Sequence, residues 1–142
     1  MNFEILIDIR EDADIKQEDM AEILKTSQSN YSRWEKGTEL IPLKKLNILC
    51  NYFNVSMDYV IGLTRTNTPT KKINLKSTTI GNNLRKLRND KGLKQIDLAN
   101  VLNTSQSTIS AYESGKTILL TAFALEIVKK YKISLDELCG RK

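Results

Sequence analysis

Residues 17–37 read QEDMAEILKTSQSNYSRWEKG, and residues 95–115 read QIDLANVLNTSQSTISAYESG. The two stretches align without a gap at an offset of 78, with 11 of 21 positions identical. A repeat of this kind decides the architecture first, because each copy is one structural unit. In the first copy Met20, Ala21 and Leu24 share a helical face, so a helix is predicted from Gln17 to Leu24. The small Ala21, Ala99 in the second copy, leaves room for a close helix crossing. A second helix is predicted from Gln28 to Lys36, with Ser27 as its N-cap and Ser105 in the same role in the other copy. Tyr31 and Trp34, matched by Ile109 and Tyr112, face inward, and Gly37 and Gly115 close the two helices. The turn's first residue is expected at positive φ, which Asn103 tolerates and Lys25 accepts at a cost on the order of 1 kcal/mol at most.

Outward from the repeat, a further helix is predicted over Phe3 to Asp12, with Phe3, Leu6 and Ile9 at helical spacing. Ile5, Ile7 and Ile9 also alternate as in a strand, but Ile80, Leu84 and Leu87 of the second copy fall on one helical face. Helix is therefore expected in both copies. Ile5 and Ile7 align with Asn83 and Arg85, so they are extra apolar groups: core at a shifted helix angle, or a contact with another domain or subunit. Leu43 to Phe53, led by Pro42, reads as a fourth helix buried through Leu46, Leu49 and Phe53. Ser56 to Ile61 reads as a fifth, capped by Ser56 and stopped by Gly62. Ala122 to Tyr131 and Ser134 to Cys139, then Gly140, repeat the pair.

The expected fold is all-α: two tandem five-helix domains, 1–64 and 80–142, joined by an extended basic linker, 65–79. The linker's threonines, Pro69 and four cations show no periodic apolar face. From Leu63 to Thr79 it has 17 residues and a reach of roughly 55 Å.

Of 142 residues, 40% are hydrophobic and 27% charged, as in ordinary globular proteins. No apolar run is long enough for a membrane span, and Glu4 and Asp8 stand where a signal peptide has basic residues. Two cysteines, Cys50 and Cys139, with no CxxC and no histidine, exclude the usual zinc sites; buried thiols and a cytoplasmic location are expected. No cofactor is expected. The net charge of +5 is uneven: −4 over residues 1–64, +4 over the linker and +5 over 80–142. The basic linker and second domain suit a polyanion; the acidic first domain suits one less well.

The pattern Gln-x-x-x-Ala-x-x-Leu-x-x-Ser-Gln-Ser-x-(Tyr/Ile)-Ser-x-(Trp/Tyr)-Glu-x-Gly resembles the Cro-type, lambda-repressor-like (XRE) helix-turn-helix family. Both domains share the likeness, and the tails NYFNVSMDYVIGL and KKYKISLDELCG are similar to the family's closing helix. Arg10 with Glu35, and Arg88 with Glu113, match its paired arginine and glutamate; numbering the helices of each domain in chain order, so that Phe3 to Asp12 is helix 1, Gln17 to Leu24 helix 2 and Gln28 to Lys36 helix 3, this implies a structural ion pair between helix 1 and helix 3. The resemblance implies double-stranded DNA binding, with helix 3 entering the major groove. Gln28 and Gln106 would then face base edges, where an amide pairs with adenine N6 and N7, beside the short donors Ser29 and Ser107. Gln17 and Gln95 would approach phosphate at the start of helix 2. Arg33 would reach guanine or phosphate, whereas its counterpart Ala111 offers only apolar contact; Asn30 is matched by Thr108. In the following loop Lys116 suits phosphate and Glu39 does not; Lys44 and Lys45 either compensate or are solvated. Arg65, Lys71, Lys72 and Lys76 contact a minor groove or phosphate, or are simply solvated.

The leading expectation is a sequence-specific transcriptional regulator, a repressor, whose two domains read different bases. It would bind as a pseudo-dimeric monomer or as a homodimer. The alternative gives DNA to the second domain and makes the first a protein-interaction or dimerisation module. An enzyme is not expected, since no nucleophile–base arrangement is evident. RNA fits poorly, because the A-form major groove is too narrow for a helix.

Overall fold

The computed structural model describes residues 4–142; Phe3, expected in the first helix, lies outside them. Ten helices and no strand are present among the described residues. The chain divides into two compact units between Ile73 and Asn74.

The first unit holds α1 (Glu4–Asp12), α2 (Gln17–Ile23), α3 (Gln28–Lys36), α4 (Leu43–Phe53) and α5 (Met57–Val60). Its core includes Leu6, Met20, Ala21, Tyr31, Trp34, Leu46, Leu49, Met57 and Val60 from the five helices, with Leu24 and Ile41 from the segments between them. Ile5, Ile7 and Ile9 are half-buried in a helix, so the strand-like alternation carries no strand. On α4 the buried face is Leu43, Leu46, Asn47, Leu49 and Cys50. Phe53, expected in the core, is only half-buried and meets Tyr52 edge-on at 4.9 Å, because the helix ends there and turns at Asn54 (φ 55°). The Ser56 hydroxyl accepts from the Tyr59 N–H at 3.0 Å and caps α5, which is a single turn, shorter than expected.

The second unit holds α6 (Ser77–Asp90), α7 (Gln95–Val101), α8 (Gln106–Glu113), α9 (Thr121–Tyr131) and α10 (Leu135–Leu138). Ile80, Leu84, Leu98, Ala99, Leu102, Ile109, Tyr112, Ala124, Ile127, Val128 and Leu138 form its core, while Leu87 is half-buried. The first helix of this unit starts three residues before Ile80. Gly81 explains how closely it packs: a Cβ there would lie 2.4 Å from the Tyr112 carbonyl oxygen on α8. Asp136 and Arg141 form a buried ion pair at 3.2 Å. Cys50 and Cys139 are fully buried, one in each unit, and neither is in a disulfide.

Residues 64–76 form no helix, and they are tied to the first unit at two places. Asn67 accepts from the Ser56 N–H at 2.9 Å and donates to the Asn54 carbonyl at 3.0 Å. Asn47 and Asn51 both donate to the Ile73 carbonyl, at 2.8 and 2.7 Å.

Candidate nucleic-acid interface

Each unit presents one helix whose start is free of acids, capped and open to solvent. Gln28 and Ser29 begin α3, and Gln106 and Ser107 begin α8; all four are exposed. The Ser27 hydroxyl accepts from the Asn30 N–H at 3.1 Å, and the Ser105 hydroxyl from the Thr108 N–H at 3.2 Å. Neither helix has an acidic residue in its first turn, so the positive end of each helix dipole is left uncompensated. The turns before them carry Lys25 at φ 55° and Asn103 at φ 54°, as the repeat predicts. A lysine is strained there, and its carbonyl accepts from the Lys45 ammonium at 3.1 Å.

A buried carboxylate ties each of these helices to the helix that opens its unit. Arg10 Nε donates to Glu35 at 2.6 Å, and its Nη1 to the Ile15 carbonyl at 3.1 Å. Arg88 Nε donates to Glu113 at 2.7 Å, and its Nη1 to the Leu93 carbonyl at 2.8 Å. The first helix of each unit (α1 or α6), the loop after it and the end of α3 or α8 are thereby tied together. Burial alone would raise the Glu35 and Glu113 carboxyls; hydrogen bonds led by Arg10 and Arg88 outweigh it and hold both below the usual range. Burial pushes the neighbouring Tyr31 phenol well up. Arg85, one turn before Arg88, adds a looser contact to Glu113 at 3.4 Å; the sequence reading missed it, although the spacing of three placed both on one face.

The structure places the predicted site residues in different surroundings. Gln17, Gln28, Ser29 and Arg33 line one concavity of the first unit, together with Ser32 and Lys36, which the sequence reading omitted. Ser32 recurs as Ser110, a signal that was there to use. Gln17 and Gln95 differ from expectation in what they hold: their side-chain amides donate to Glu35 at 2.7 Å and Glu113 at 3.4 Å. Both glutamines open a helix, where the first backbone N–H groups lack partners further along the helix. Acids stand in the first turn of both helices, Glu18 and Asp19 in α2 and Asp97 in α7, and they oppose an anion there.

Arg33 and Asn30 are engaged with each other. Arg33 Nη2 donates to Asn30 Oδ1, Asn30 Nδ2 donates to Thr26 Oγ1 at 3.1 Å, and Arg33 Nε lies 3.2 Å from the Glu39 carboxylate. Arg33 is thus held by Asn30 and by a carboxylate of the loop that follows its own helix. In the second unit Thr108 and Ser107 share the Ser105 hydroxyl at 2.8 and 2.9 Å, Ala111 is half-buried and Lys116 is exposed. Among the described residues no cluster of metal-ligating side chains occurs, and no helix is long and apolar enough to cross a membrane.

Two such helix pairs, each tied by the same arginine–glutamate bridge, define a tandem helix-turn-helix protein. A helix-turn-helix family profile matches residues 6–60 and again 84–138, and the chain belongs to that family, the Cro-type, XRE class of DNA-binding transcription regulators. It is 38% identical over 50 residues to an uncharacterised HTH-type transcriptional regulator, YobD, of Bacillus subtilis; the match covers 35% of this chain and 45% of that protein. Among solved structures it is similar to the restriction-modification controller protein C.AhdI of Aeromonas hydrophila. That match has 29% identity, covers 44% of this chain and 94% of the other, and has a TM-score of 0.40.

Proposed function

We propose that the chain is a sequence-specific regulator that binds double-stranded DNA in the cytoplasm and represses transcription by occluding promoter DNA. The observation that carries this is the duplicated helix start: Gln-Ser, exposed, capped and acid-free, on a helix fixed by a buried carboxylate. In this reading α3 and α8 each enter a major groove by their N-terminal end. Gln28 and Gln106 pair with adenine, and Ser29 and Ser107 bond base or phosphate. Arg33 turns from Glu39 to guanine or phosphate, Asn30 moves with it, and Thr108 and Ala111 give the second helix a different preference. Lys116 and the N–H groups at Gln17 and Gln95 bind phosphate. One chain then reads two unlike half-sites as a pseudo-dimer, and homodimerisation would double that array.

One observation favours a second reading, in which the first domain docks a protein and the second alone binds DNA. Residues 1–64 carry a net −4, and Glu18, Asp19 and Glu39 stand where phosphate would come. Selection from a random duplex library with the full chain, with Q28A/R33A and with Q106A separates the two. The tandem reading expects two motifs, one lost with each variant. Loss of enrichment with Q106A only supports the second reading. No motif from the wild-type chain refutes sequence-specific binding.

A further inference from the structure

Asn47 and Asn51 belong to the first domain alone: at the offset of 78, Leu125 and Lys129 occupy their positions. The helix-turn-helix fold therefore forms without them, and their reason lies in what they hold. Asn51 Nδ2 donates to the Ile73 carbonyl at 2.7 Å while its Oδ1 accepts from the Ile73 N–H at 3.4 Å. Asn47, only 3% exposed, donates to the same carbonyl at 2.8 Å. Asn67 makes a similar two-point grip on the backbone of residues 54 and 56. The strap 67–73 runs from the C-terminal end of α4 to its middle, held at both ends by side-chain amides. Lys71 and Lys72 stay exposed along it, and Arg65 just before it.

We infer that Asn47, Asn51 and Asn67 are specificity-determining residues for the spacing between half-sites, an inference that rests on the tandem reading above. With the strap clamped, only Asn74, Leu75 and Lys76 lie between Ile73 and Ser77, where α6 begins. Four residue steps span at most about 14 Å. With the strap released, the fourteen steps from Leu63 span about 50 Å. A tether that cannot bridge two sites gives no gain from joining them, and a slack one gives a gain that changes slowly with distance. The clamp therefore narrows the set of half-site spacings one chain can occupy, and releasing it widens that set.

The test compares the full chain with N47L/N51A/N67A, which takes Leu from the second domain's aligned position. N51A/N67A, which keeps the buried Asn47, covers the case in which the triple variant folds poorly. Trypsin cleavage at Arg65, Lys71 and Lys72, mapped by mass without DNA, is expected to quicken about tenfold on release, because cleavage needs local opening of the strap. Unchanged cleavage in both variants overturns the clamp. Affinity is then measured on duplexes carrying the two selected motifs, with the spacing changed one base pair at a time. Wild-type binding is expected to fall about tenfold away from one preferred spacing, whereas the released variants hold within about threefold across the series. A variant that is cleaved faster yet keeps the wild-type spacing profile overturns the spacing role. If the wild-type chain reads one motif only, at every spacing, the tandem reading fails and the spacing role with it, while cleavage still decides the clamp.

Discussion

Replacing Gly81 by alanine should destabilise the second domain, although the same change in an unobstructed helix stabilises. Glycine inside a helix costs about 1 kcal/mol relative to alanine. Here the added Cβ would lie 2.4 Å from the Tyr112 carbonyl oxygen, 2.6 Å from that of Glu113 and 2.9 Å from the Glu113 carbonyl carbon. All three are backbone atoms at the end of α8, so no side-chain rotation relieves them. Overpacking of this kind costs about 1–3 kcal/mol, and three contacts with backbone that cannot rotate away put it at the upper end. Subtracting the helix-propensity gain leaves a net loss of about 2 kcal/mol. For a unit of this size each kcal/mol moves the midpoint by about 4–8 °C, so a drop of about 8–16 °C is expected. Scanning calorimetry of the full chain reads it as a downward shift of one transition, with the first domain's unchanged. A midpoint that stays put or rises would show that α6 does not approach α8 this closely.

The two arginines on Glu113 should behave differently. R88A leaves a fully buried carboxylate short of its main partner and should cost about 3 kcal/mol in denaturant unfolding. R85A removes a half-exposed partner at 3.4 Å and should cost under about 1 kcal/mol. K25G relieves a left-handed lysine against the added chain entropy of glycine and should raise the first domain's stability by about 0.5 kcal/mol, seen as a higher melting midpoint. Glu35 and Glu113 have folded values below the ordinary glutamate value of about 4.3. The unfolded chain therefore binds these protons first, so their stabilisation is present above about pH 4.3 and is lost as pH falls through the lower folded values. A melting series toward acid should show that loss, and it should flatten in E35Q/E113Q.

The repeat made the fold readable because each copy disambiguates the other. Ile5, Ile7 and Ile9 alone suggest a strand, and Ile80 and Leu84 settle the matter by packing as a helix. Caps and left-handed turns were legible for a local reason: Ser27, Ser105, Gly37 and Asn103 act on backbone a few residues away. The exposed ends of α3 and α8 followed from the same logic. What stayed hidden involves polar groups meeting across long separations. Asn47 and Asn51 look like ordinary helix residues, and a bond to the backbone of Ile73 leaves no apolar period to detect. The turn of Gln17 and Gln95 toward a buried carboxylate, and of Arg33 toward Glu39, likewise depends on where helices end in space. Gly81 reads as a weak spot in a helix until the backbone it faces is known.

The two cysteines sit at unrelated positions of the repeat, Cys50 within α4 and Cys139 just after α10, and both are sealed from solvent. Each domain thus carries one thiol, and neither thiol reacts until its own domain opens. Alkylation of the native protein followed by peptide mapping would therefore assign every opening event to a domain without introducing a label. Modification of one site ahead of the other would mark domains that open separately, and equal rates would mark domains that open together.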